Sequence, residues 1–111
     1  MPCKAASLTA KKKVKKVMEM LPKTSLEEKK EIAQACTENC YRETYDILAC
    51  LIREEDRDLQ LASIKGFAAN KDARASVHLQ WLRNKVDPSD KEMLSAIADA
   101  MAACRDTHKS M

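Results

Sequence analysis

The chain has 111 residues, room for one domain, and its balance of 45% hydrophobic to 33% charged residues is that of a folded protein rather than a disordered one. One Gly and three Pro exclude turn-rich β-sandwiches and barrels, and the lone Gly66 excludes a glycine-rich phosphate loop. Net charge is only +3, but residues 1–23 hold seven Lys against one Glu while residues 24–111 hold thirteen basic and sixteen acidic residues, so the basic character belongs to the first helix.

Sixteen Ala and ten Leu against four Val favour helix throughout, and periodicity marks six helical segments. The first spans about Leu8–Leu21, with Val14, Val17, Met18 and Leu21 on one stripe and Pro22 as its stop. The second opens on Ser25-Leu26-Glu27-Glu28, a capping box, and places Ile32, Ala33, Cys36 and Cys40 on one face. The third covers about Tyr41–Glu54, with Tyr45, Leu48, Leu51 and Ile52 inward. The fourth starts after Asp56 and runs to about Ala69, where Asn70 suits a left-handed stop. The fifth starts after Asp72, runs to Val86 and is apolar on two sides: Ala75, Leu79, Leu82 and Val86 form one row, Val77 and Trp81 another. The sixth follows Asp87-Pro88-Ser89-Asp90, with Ser89 and Glu92 in capping-box spacing and Leu94, Ile97, Met101 and Cys104 inward; residues 106–111 read as a polar tail.

The turns within successive helix pairs centre near Pro22, Glu55 and Pro88, 33 residues apart each time, and Ile32, Ile64 and Ile97 recur in the second helix of each pair. A fixed period of this length predicts an all-α stack of three antiparallel hairpins, about 8–38, 41–69 and 73–105, in one domain over 1–111. Packing rules also permit a closed helical bundle. The stretch Asp56-Arg57-Asp58-Leu59-Gln60-Leu61-Ala62-Ser63-Ile64-Lys65-Gly66-Phe67 resembles the second helix of a HEAT repeat, and Asp87-Pro88-Ser89-Asp90 resembles the turn inside such a repeat. Gln60 stands where that family often carries a basic residue. The resemblance implies a short α-solenoid whose second helices line a concave, partner-binding side. Its solvent-facing residues here would include Lys30, Gln34, Gln60, Ser63, Lys65, Ser95 and Asp99.

The first helix carries Lys11, Lys12, Lys13, Lys15 and Lys16 opposite its apolar stripe. Such a face binds phosphates or an anionic membrane, or simply solvates an end-capping helix; no aromatic residue interleaves the lysines to stack on bases. Cys36 with Cys40 and Cys104 with His108 have i, i+4 spacing. Four such ligands could close a zinc tetrahedron, but only in a closed bundle, and buried free thiols explain them as well. No cysteine or carboxylate has a catalytic partner in its local sequence, and Trp81 reads as core. The expectation is therefore a non-enzymatic protein-interaction module without metal or cofactor, with nucleic-acid binding through the basic first helix as the alternative. Self-association through an end helix is also expected. Met1–Ala10 does not read as a secretory signal, and no apolar run is long enough for a membrane span; a cytoplasmic protein with free thiols is expected.

Overall fold

The computed structural model describes residues 3–109, and side chains from Cys3 to Cys104. They form α1 (Lys4–Ala10), α2 (Val14–Met20), a 3₁₀ turn (Leu21–Lys23), α3 (Leu26–Glu38), α4 (Thr44–Leu51), α5 (Arg57–Asn70), α6 (Ala75–Lys85) and α7 (Lys91–Lys109). The class is all-α, with no strand among the described residues.

Seven helices stand where six were expected, because the first predicted helix is two. It begins at Lys4, earlier than Leu8, and breaks at the lysine run. The Lys13 amide donates to the Leu8 carbonyl (2.9 Å) and the Lys12 amide to Thr9 (3.0 Å), while Lys12 holds a left-handed φ of 63°. This is a Schellman stop with Lys in the place glycine usually takes. The break lets two short helices bury different faces: α1 sets Ala5, Ala6 and Thr9 against α3, and α2 turns Val17 inward beside α4. One straight helix cannot reach both neighbours, and adjacent lysines repel along a continuous one.

Other boundaries follow local chemistry. The Ser25–Glu28 capping box forms in both directions, and Asp56 caps α5 by accepting from the Leu59 amide at 2.9 Å. The Ser89–Glu92 box does not form. Asp87 takes the Ser89 amide and hydroxyl in an Asx turn, so the start moves to Asp90, which accepts from the Met93 amide. Asp72 likewise does not cap α6: it holds the Arg74 amide and guanidinium, and α6 starts at Ala75. The left-handed residue ending α5 is Lys71 (φ 60°) rather than Asn70. Asn70 instead donates to the Tyr41 carbonyl and the Thr44 hydroxyl, both at 2.9 Å, fastening the end of α5 to the start of α4. Helix α7 runs to Lys109, so the expected tail at 106–109 is helical; residues 110–111 lie outside the described residues.

The helices pack in a consistent order. α1 lies on α3, α3 on α5 and α5 on α7; α4 contacts α3 and α5 with α2 and α6 beside it, and α6 lies on α7. Ile32, Ile64 and Ile97 are buried at the centres of α3, α5 and α7, joined by Ile47, Leu48 and Leu51 from α4, Leu79 and Leu82 from α6, and Phe67. Gly66 permits the closest approach, since a Cβ there would meet Leu48 Cδ2 at 2.5 Å. Long-range links also join the helices: the Tyr41 hydroxyl donates to the Thr9 carbonyl across 32 positions, and Arg57 grips Asp90 across 33.

Candidate functional site

The lysine cluster forms the corner between α1 and α2. Lys11, Lys12, Lys13, Lys15 and Lys16 are all exposed, and among the described residues none of the five forms an ion pair. Lys12 Nζ lies 5.6 Å from the centre of the Tyr41 ring. Tyr41 comes from the turn before α4, so no reading of the first helix alone could have found it. Burial first, then the neighbouring Cys36 and Glu43, pushes the Tyr41 hydroxyl up to about 12. It therefore keeps its proton and donates it to Thr9, 2.7 Å away. The tyrosine acts as a post under the corner.

The residues expected on a concave side divide. Gln34, Lys65, Ser95 and Asp99 are exposed. Lys30 is half-buried and reaches Glu27 (3.6 Å) and Asp58 (3.9 Å), while Gln60 donates to the Glu54 carbonyl (3.1 Å). Ser63 is corrected: it is fully buried and its hydroxyl bonds back to the Leu59 carbonyl at 2.8 Å, so it offers nothing to a partner. No hydrogen bond or ion pair joins any two of these seven side chains among the described residues. An open groove of about 360 Å³ lies between α1 and α3. Ala6, Ser7, Ala10 and Ala35 form its floor; Lys11, Glu31, Gln34 and Glu38 stand at its rim. Its small side chains leave the space, and Glu31 fixes one wall by accepting from the Cys3 amide at 2.8 Å.

The cysteine pairs do not assemble. Cys36 is buried in α3, its thiol pushed up to about 12 by burial and by Cys40; Cys40 lies beyond the helix end and is exposed. Cys104 is buried against α5, where its thiol, raised by burial and then by Asp72, donates to the Phe67 carbonyl. α5 packs between α3 and α7 and so keeps the two thiols apart. The His108 side chain lies outside the described residues. Among the described residues no group of three or more His, Cys, Asp or Glu is arranged to hold a metal ion.

His78 is engaged at both ring nitrogens. Arg53 Nη2 is 3.2 Å from Nδ1 and the Tyr45 hydroxyl 3.0 Å from Nε2. Arginine only donates, so Nδ1 accepts, and Nε2 carries the proton and donates to Tyr45. The ring stacks on Phe67, 5.9 Å between centres. Burial, then Arg53, holds its pKa below the usual histidine value. Trp81, expected in the core, is half-buried and flanked by Arg53 (4.2 Å) and Lys85 (5.0 Å).

No helix among the described residues is long and apolar enough to cross a membrane. No protein-family model, curated protein or solved structure matches the chain.

Proposed function

We propose that the chain is a non-enzymatic protein-interaction module, a short HEAT-like stack of three helical hairpins. The observation that carries this reading is the groove between α1 and α3, an apolar floor with a charged rim on the outside of the α1–α3–α5–α7 series. Small residues there allow the backbone of a partner helix to approach closely, and Gln34, on the side the HEAT resemblance assigns to partners, stands at its rim. The packing order and the contacts 32 and 33 positions apart support the hairpin stack. A non-enzymatic role fits the chemistry of the interior: its buried thiols are held protonated, and both nitrogens of His78 are occupied.

The test is a partner-capture experiment with Ala10→Arg, which fills the groove from an exposed position. A protein partner retained by the wild type and by Val77→Arg, on exposed α6 surface, is expected to be lost by Ala10→Arg. Equal capture by all three proteins would contradict the reading.

A further inference from the structure

The charges of this molecule are sorted between two edges. One edge carries the turns inside the predicted hairpins, and there charges of opposite sign are paired: Lys29 with Glu54, Lys30 with Asp58, and Arg57 with Asp90 and Glu92. The other edge carries the turns between hairpins. Those two turns and the α1–α2 corner, which lies at the same edge, are fastened side by side. Tyr41 bonds the α1–α2 corner through the Thr9 carbonyl, and Asn70 bonds Tyr41 in turn. Along this edge run the five corner lysines, then Arg42, then Lys71. Arg42 and Lys71 are exposed, and neither forms a salt bridge among the described residues. The carboxylates nearby are Glu38, which shares the groove rim with Lys11, and Glu43, Asp46 and Asp72; Arg74 holds Asp72, and the line stays net positive.

We propose that this edge binds a nucleic acid duplex through its phosphates. Neighbouring helices lie ~8–10 Å apart, so three adjacent turns span about 20 Å. A duplex presents roughly twelve phosphates over that length. The aromatic ring at the corner is covered by Lys12 and its hydroxyl faces inward, so bases find no stacking platform and binding is independent of sequence. An anionic membrane fits less well. The large apolar residues exposed among those described are Leu26, on the opposite edge, and Val77, and one valine is too little to insert. The inference is tested at Arg42 and Lys71, which do not line the groove between α1 and α3 that the protein-interaction reading uses; Lys11 belongs to both.

The experiment is fluorescence polarisation with a labelled duplex of about 20 base pairs over a salt series, with phosphatidylserine vesicles in parallel. The wild type is expected to bind with a slope of log K against log salt of about −5. Arg42→Gln/Lys71→Asn, far in sequence from the lysine run, is expected to weaken binding at least about tenfold and to lower the slope by about two, with an unchanged melting temperature. Asn tolerates the left-handed backbone at position 71. Lys65→Gln/Lys91→Gln removes the same charge from exposed positions off the edge and is expected to leave binding within about twofold. Equal losses from both double variants would reduce the effect to net charge and overturn the proposal. So would no duplex binding at low salt, or edge variants that release vesicles while duplex binding stays intact.

Discussion

Lys12 combines two unfavourable features: a left-handed backbone at φ 63°, and a place among like charges with no carboxylate partner among the described residues. Glycine would relieve the first. Lys12→Gly is expected to raise stability by roughly 0.5–1 kcal/mol, the steric relief less the added freedom of the unfolded chain, as read by urea unfolding. The same variant should bind duplex more weakly. A rise in stability without loss of binding would show that the corner lysine has no part in the basic edge. His78 supplies a second test. Its native pKa is lowered, so the unfolded state binds more protons as pH falls. Its contribution is complete well above the usual histidine value of 6.5, declines as pH drops through it, and levels off below the lowered native value. Urea midpoints between about pH 5 and pH 8 should therefore fall more steeply on acidification for the wild type than for His78→Gln. Parallel profiles would mean that burial and Arg53 do not hold the ring neutral.

Among the elements, α5 is central, touching α3, α4 and α7. Its crossing with α4 depends on Gly66, where any side chain drives into the buried Leu48. Gly66→Val is expected to destabilise the protein by about 2–3 kcal/mol, lowering Tm by about 10 °C or more in calorimetry, despite replacing a helix-weakening glycine. A change within about 0.5 kcal/mol would refute that packing. The helix starts at Ser25 and Asp56 were legible in the sequence because a cap is chemistry among neighbours three residues apart. The break at Lys11–Lys13 was not, because a left-handed stop is usually signalled by glycine or asparagine. Ser63 was misplaced for a related reason: polarity suggested exposure, but its hydroxyl is satisfied within its own helix. Tyr41 under Lys12, and Asn70 on the Tyr41 carbonyl, are products of packing, invisible to any local window.

At the scale of the whole molecule, the all-α class was legible in the composition and periodicity, and hydrogen bonds join residues 32 and 33 positions apart, Tyr41 to Thr9 and Arg57 to Asp90. The burial of Ile32, Ile64 and Ile97 was legible because each lies on the apolar face of its own helix. The groove was not, since it needs α1 to fold as a separate helix against α3. The two proposals use different parts of the surface: the groove for a protein helix, the edge opposite the paired charges for phosphates. The most direct measurement is site-specific photocrosslinking in extract of the native host, with the crosslinker placed at Gln34 beside the groove or at Gln80 on the exposed side of α6. One protein partner captured from Gln34 and not from Gln80 is the expected result. Equal capture from both positions, or none from Gln34, would contradict the assignment of the groove as the docking face.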